Sequence, residues 1–188
     1  NTLAYGTHAV SRSNNSVAIG TKAIAGTTST AAVAIGEESF AKENNALAIG
    51  TQSIANGTNS FASGSGAIAK GSNTIAIGAG ATAANISSIS TSERVQVLSN
   101  DYQISAGSVR RKQIDADFSD GQNLIAIGAD AQAIGINSTA MGSNSVASGE
   151  AAVALGTTSQ AIGINSIAVG SASQARRDNG IAVGQGAR

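Results

Sequence analysis

The sequence predicts an all-β solenoid in which short coils of the chain stack on one another, and three observations lead to this class. A tetrad of the form x-Ala-x-Gly occurs eleven times in the 188 residues, from Leu3–Gly6 to Ile181–Gly184. Eight of the ten steps between successive closing glycines are 14 residues, with one step of 16 and one of 50. Only 3% of the residues are aromatic, so small aliphatic residues must form thin layers. A short period repeated this often is typical of a solenoid.

Each tetrad predicts the first strand of a coil and the corner that follows it. Sequences such as Val17–Ile19 and Ile167–Val169 have high strand propensity. The closing glycine tolerates positive φ and therefore predicts a corner. Large apolar residues flank an alanine that is present in all eleven tetrads. Since this strand has no polar face, we expect it to be buried on both faces.

A second strand and a second corner are predicted to complete the coil, as at Thr21–Ala25 and Ser171–Ala175. One face of the second strand carries only Ala and Ser, which predicts one buried face and one face in water. The polar residues of the water-facing side are Lys22, Gln52, Asp130, Gln132, Asn144, Gln160 and Gln174. Asn stands two residues before nine of the eleven tetrads, and this residue favours left-handed corners.

The first strand predicts contact with another chain. The second strand of its own coil covers one of its faces, but a roll of two narrow sheets has nothing to cover the other. Burial of the small apolar surface within one coil does not offset the conformational entropy lost on folding, which is about 1.5 kcal/mol per residue. We therefore expect an obligate oligomer. We expect the alanines at its axis, where backbones can approach closely, with Val and Ile inside each roll; the reverse orientation is the alternative. The predicted interface residues are Ala18, Ala34, Ala48, Ala76, Ala126, Ala154, Ala168 and Ala182.

The hexapeptides Asn15–Gly20 and Asn165–Gly170 resemble the head repeat of trimeric autotransporter adhesins of the YadA type. The resemblance covers residues 1–84 and 123–188, about four fifths of the chain. It implies a left-handed parallel β-roll in which three chains wind around a common axis, so that two further copies are the first partners. It also implies binding to host extracellular-matrix proteins or cell receptors. The implied location is the bacterial cell surface, with an outer-membrane anchor in parts of the protein outside this sequence.

Residues 85–122 depart from the repeat and predict one insertion that leaves the roll at a corner. They contain nine of the 22 charged residues. The alternating segments Arg94–Leu98 and Tyr102–Ile104 predict a β-hairpin, and Ser108–Ile114 is similar to the stretch that leads from head to neck in the same family. Two roles remain open: an excursion that binds a ligand, or a structural brace between neighbouring chains. The candidate ligand contacts are Tyr102, Arg110, Arg111 and Lys112.

The composition argues against catalysis and against several classes of partner. Lys and Arg together number 11, as do Asp and Glu, so the net charge indicates neither nucleic acid nor an anionic membrane. Cys is absent, which excludes thiol chemistry. His8 is the single histidine, and we expect it to be exposed or at an interface near one end. We therefore predict no enzymatic activity, no cofactor and no metal site.

Two functions other than an adhesin head are considered: a segment of a phage tail fibre and an ice-binding solenoid. The same repeats build shafts of phage tail fibres, so a structural shaft or a receptor-binding fibre segment is the alternative function. An ice-binding solenoid needs regularly spaced Thr on a flat face, and the irregular second strands argue against it. No apolar run approaches the roughly 18 residues of a membrane span, so we expect no direct membrane contact. The sequence starts and stops inside repeats, and we expect it to be part of a longer protein.

Overall fold

The structure is a computed structural model that describes residues 1–26, 30–84 and 123–188. Throughout these ranges the chain forms a parallel β-solenoid, in which each coil adds one strand to each of two sheets. The predicted all-β class and the coils of about 14 residues are confirmed. We call the sheet that contains the tetrads the tetrad sheet, and the other the opposite sheet.

The tetrad sheet has eleven described strands and the opposite sheet has ten. The strands of the tetrad sheet are β1 (Thr2–Tyr5), β3 (Ser16–Ile19), β5 (Val33–Ile35), β7 (Leu47–Ile49), β9 (Phe61–Ser63), β11 (Ile75–Ile77), β13 (Ile125–Ile127), β15 (Thr139–Met141), β17 (Val153–Leu155), β19 (Ile167–Val169) and β21 (Ile181–Val183). The strands of the opposite sheet are β2 (Val10–Ser11), β4 (Ile24–Ala25), β6 (Phe40–Ala41), β8 (Ile54–Asn56), β10 (Ile68–Lys70), β12 (Thr82–Ala84), β14 (Gln132–Ala133), β16 (Val146–Ala147), β18 (Gln160–Ala161) and β20 (Gln174–Ala175).

Equivalent residues of successive coils lie opposite one another, including across both irregular steps of the repeat. Val17 pairs with Val33, although two extra residues separate their coils. On the two sides of residues 85–122, β11 pairs directly with β13, with Ile75 opposite Ile125, and β12 pairs with β14. In the described residues the coils on the two sides of 85–122 therefore stack directly on each other. The predicted insertion itself lies outside the described residues.

The two sheets face each other across an interior of Ala and Ser. Side chains of a strand alternate between its two faces, and in both sheets the inward positions carry the small residues. Ala48 of the tetrad sheet and Ala55 of the opposite sheet are completely buried, as is Ser53 beside them. Leu124, immediately before β13, is the largest completely buried side chain among the described residues. This thin interior confirms the predicted small-residue face of the second strand.

The orientation that we expected for the tetrad is wrong. The predicted interface alanines point into the roll, where a single chain already buries them, and they present no surface to a second chain. The residues with 0% exposure are Ala18, Ala34, Ala48, Ala76, Ala126, Ala154 and Ala168, and Ala182 is 3% exposed. The physical reason is the thickness of the interior, which is filled by one-carbon and hydroxymethyl side chains. The large residues on either side of each alanine therefore project from the outer surface.

The corner before each tetrad is left-handed, as the Asn column predicted. Asn15 and Asn165 have φ values of 58° and 55°. Their column also forms side-chain ladders between coils, in which Asn45 Nδ2 donates to Asn59 Oδ1 at 3.1 Å. Ala31 and Ala151, the two exceptions in sequence, adopt the same conformation with φ values of 58° and 52°. A left-handed alanine is strained because its Cβ approaches the following carbonyl.

The corner after each tetrad contains two left-handed positions, which shortens the second strand. Gly50 has a φ of 121°, and a Cβ there would lie 2.7 Å from the carbonyl oxygen of Gly64 in the next coil. Two residues later, Gln52 has a φ of 59°. The predicted strand Thr21–Ala25 therefore begins as a turn, and only Ile24–Ala25 is extended. Four of the predicted strand residues belong to this corner, namely Lys22, Gln52, Asp130 and Asn144.

We predict that Ala151→Asn stabilises the roll by about 1 kcal/mol, because Asn tolerates the left-handed backbone that strains alanine. The neighbouring change Ala152→Asn is the control, since Ala152 is completely buried and a polar amide there should cost about 1–3 kcal/mol. Chemical denaturation at one fixed protein concentration measures both changes. A loss of stability in Ala151→Asn would contradict the assignment of strain to this corner.

Candidate interaction surface

The outer face of the tetrad sheet carries two columns of large side chains, one on each side of the buried alanines. The first column is Leu3, Val17, Val33, Leu47, Phe61, Ile75, Ile125, Thr139, Val153, Ile167 and Ile181. The second column is Tyr5, Ile19, Ile35, Ile49, Ser63, Ile77, Ile127, Met141, Leu155, Val169 and Val183. Eleven strands at the usual spacing make this face about 48 Å long. We call it the tetrad face.

The tetrad face is apolar and incompletely covered by its own chain. Within the stack, each side chain is flanked by its equivalents above and below and remains partly exposed. At the last coil, where one flank is open, Ile181 is 69% exposed and Val183 is 67% exposed. Soluble monomers seldom expose a contiguous apolar patch larger than a few hundred Å². The tetrad face is therefore the strongest candidate for a protein interaction surface.

Exposed isoleucines also lie at the corners that precede β15 and β19, and the exposed Glu150 of the intervening coil lies between them. Ile136, Ile162 and Ile164 are 37%, 44% and 47% exposed. These three residues were not among the candidates predicted from the sequence. The hexapeptide Ala-Ile-Gly-Ile-Asn-Ser, which occurs at 133–138 and again at 161–166, could have indicated them. Other coils have polar residues at this corner.

Polar side chains lie at the corner that follows the tetrad strands. Lys22 Nζ lies 3.5 Å from Glu38 Oε1, and Gln52 Nε2 donates to Glu38 Oε2 at 3.2 Å. These three residues occupy the same corner position in three successive coils, so their side chains stack along the roll. Partly exposed pairs of this kind contribute about 0–1 kcal/mol. They mark a solvated corner and do not form a catalytic group.

The remaining sequence-based candidates do not converge on a site. Tyr102, Arg110, Arg111 and Lys112 lie outside the described residues. His8 is exposed and occupies a turn near one end. The described part of the chain contains no group of three or more His, Cys, Asp or Glu residues that could hold a metal ion. The same part contains no helix long and apolar enough to cross a membrane.

Comparison with known proteins identifies one family along most of the chain. The YadA head domain repeat matches residues 1–23, 26–53, 41–67, 69–90, 120–145, 133–159 and 161–187. No curated protein was found to match the sequence. The matched ranges include the tetrads of both halves, so the repeat that forms the tetrad face is also the repeat that defines the family.

We predict that Ala154→Leu destabilises the protein by about 1–3 kcal/mol, because the added atoms overpack the thin interior of the roll. Gln160→Leu is the matched control, since Gln160 lies on the outer face of the opposite sheet and is partly exposed. Thermal melting followed by β-sheet circular dichroism compares the two variants. Equal melting temperatures would contradict the assignment of inner and outer faces.

Proposed function

The chain belongs to the family of YadA head domain repeats, and on this basis we propose that it forms the head of a trimeric adhesin on a bacterial cell surface. In this proposal, three copies bring their tetrad faces together around a common axis. The assembled head then presents its outer surface to host extracellular-matrix proteins or cell receptors. The single observation that carries the proposal is the apolar tetrad face, repeated in register along the family's own repeat.

The tetrad face supports assembly because its side chains are large, apolar and regularly spaced. Since parallel pairing places equivalent residues in straight columns, copies of the same chain can interleave their columns over the whole length of the roll. Burial of apolar surface contributes roughly 25 cal/mol per Å², so a face of about 48 Å supplies stability that the Ala and Ser interior lacks. The left-handed winding that the family resemblance implies stays a prediction.

Assembly of this kind leaves the corners and the opposite sheet on the outside as the candidate ligand surface. Each structural feature of that surface then occurs three times around the axis. Weak contacts made by several copies can act together, and linked sites commonly gain 10²- to 10⁴-fold in avidity. An adhesin built this way needs no deep pocket, because the repeated surface supplies many small contacts.

We predict that the isolated protein sediments as a trimer and that Leu155→Asp dissociates or unfolds it, because a carboxylate would be buried on the apolar tetrad face. Gln160→Asp places the same charge on the opposite sheet and should leave the trimer intact. Sedimentation equilibrium of the three proteins tests this expectation. A well-folded monomer of the unchanged sequence would overturn the proposed assembly.

We also predict concentration-dependent binding of the trimer to at least one immobilised matrix protein among collagens, fibronectin and laminin, or to host cells in culture. Leu155→Asp should lower the apparent affinity by about 100-fold or more, because dissociation or unfolding of the trimer removes the linked sites. Surface plasmon resonance and cell-adhesion counts provide the measurements. A stable trimer that binds none of these targets would contradict the adhesive role and favour a structural shaft.

A further inference from the structure

One level of the tetrad face differs from the others in the sizes of its two outward side chains, a level being the pair that one strand contributes. In β9 the first column carries Phe61, which stacks between aliphatic residues of the coils on either side. The second column carries Ser63, which stacks between Ile49 and Ile77. The same strand therefore has a projection in one column and a notch in the other.

The two changes of size in β9 offset each other. From β3 to β21 the two side chains of each described level together contribute seven to nine non-hydrogen atoms, and the level of β9 falls within this range. So does the level of Thr139 and Met141, which also contains a polar residue; the first level, Leu3 and Tyr5, exceeds it. Changes of volume in a packed layer are destabilising. A nearly constant total is therefore the pattern expected where both columns fill one shared layer.

Phe61 and Ser63 both leave surface for a second chain to contact. They stand two positions apart on one strand, which separates their Cβ atoms by about 6.6 Å. Both side chains remain partly exposed in the single chain. Beyond β1, Phe61 carries the one aromatic ring of the described tetrad face, and aromatic rings contribute strongly to the energetics of interfaces. This level is therefore where the shape of the face is most distinctive.

Symmetry determines which level of a second chain this level meets. A closed ring of identical chains has heterologous contacts, in which one patch of each chain meets a different patch of the next. The two columns of the tetrad face supply two such patches. When the axis is parallel to the stack of coils, rotation about it leaves the height of every level unchanged. The first column of one chain then faces the second column of its neighbour at the same level.

We propose that Phe61 of each chain packs into the notch at Ser63 of the neighbouring chain, and that this pair fixes the register in which the chains associate. A shift by one coil, about 4.8 Å, would place Phe61 against Ile49 or Ile77 and would overpack the layer. The other levels resemble one another and discriminate weakly against such a shift. A shift repeated from chain to chain would also prevent closure of the ring and produce open filaments. This pairing rests on the proposed trimeric head and adds the level at which its chains are matched.

Disulfide trapping in the 188-residue chain tests the pairing, because the sequence contains no Cys. The double change Phe61→Cys and Ser63→Cys should give covalent trimers on a non-reducing denaturing gel after mild oxidation. A disulfide needs Cβ atoms about 3.5–4.5 Å apart, which two positions on the same strand do not allow, so the bridges must join different chains. The staggered double change Phe61→Cys and Ile77→Cys is the matched control and should give less than about a tenth of that product.

Sedimentation of the unchanged protein separates failure of this pairing from failure of the proposed head. A trimer in sedimentation whose level pair of cysteines gives no covalent trimer, or gives less than the staggered pair, would overturn the pairing and leave the trimeric head standing. A monomer in sedimentation would overturn both.

Compensation between the two positions gives a second measurement, which does not depend on the cysteine variants. Ser63→Ile alone should lower the melting temperature of the trimer, because it fills the notch that receives Phe61. Adding Phe61→Ile should recover at least about half of the loss, since the level then matches that of Ile75 and Ile77. The control combines Ser63→Ile with Phe40→Ile on the opposite sheet and should show no recovery. A Phe61 double variant that melts at or below the temperature of Ser63→Ile would contradict the pairing.

Discussion

The thin interior of the roll is the constraint on which the other features depend. Two sheets approach so closely that alanine and serine fill the space between them, as Ala48, Ser53 and Ala55 illustrate. Apart from Leu124, which is completely buried, the large aliphatic residues of the described coils project outward, which reverses the usual distribution of a globular domain. A chain built in this way has little apolar surface inside and much of it outside. Its stability and its function therefore both depend on what covers the outer faces.

The corners make the thin interior possible by reversing the chain within a few residues. Gly50 has a φ that L side chains rarely adopt, and a Cβ there would meet the next coil. Asn15 and its equivalents tolerate the left-handed region at the other corner. Serine hydroxyls inside the roll form hydrogen bonds to backbone carbonyls of the corners. For example, Ser53 Oγ donates to the carbonyl oxygen of Gly50 at 2.8 Å. Since each coil closes on itself, extra residues can leave at a corner without disturbing the stack.

The two outer faces of the roll differ in residue composition. The tetrad face is mainly apolar, interrupted by Ser63 and Thr139, and it suits assembly with identical chains. The opposite sheet is apolar near Phe40 and mostly polar near Gln160. Repetition places each surface group at a regular interval along the roll, and an adhesive function uses that regularity through many weak contacts.

The sequence by itself determined the period, the two strands of each coil and the left-handed Asn corner, because these follow from local residue preferences. The tetrads at Val17–Gly20 and Ile167–Gly170 were also sufficient to indicate the family. The sequence did not determine which side of the tetrad strand faces inward, since Ala154 and its large neighbours Val153 and Leu155 are all apolar. Only the tertiary structure decided that question, because the separation of the two sheets selects the alanine.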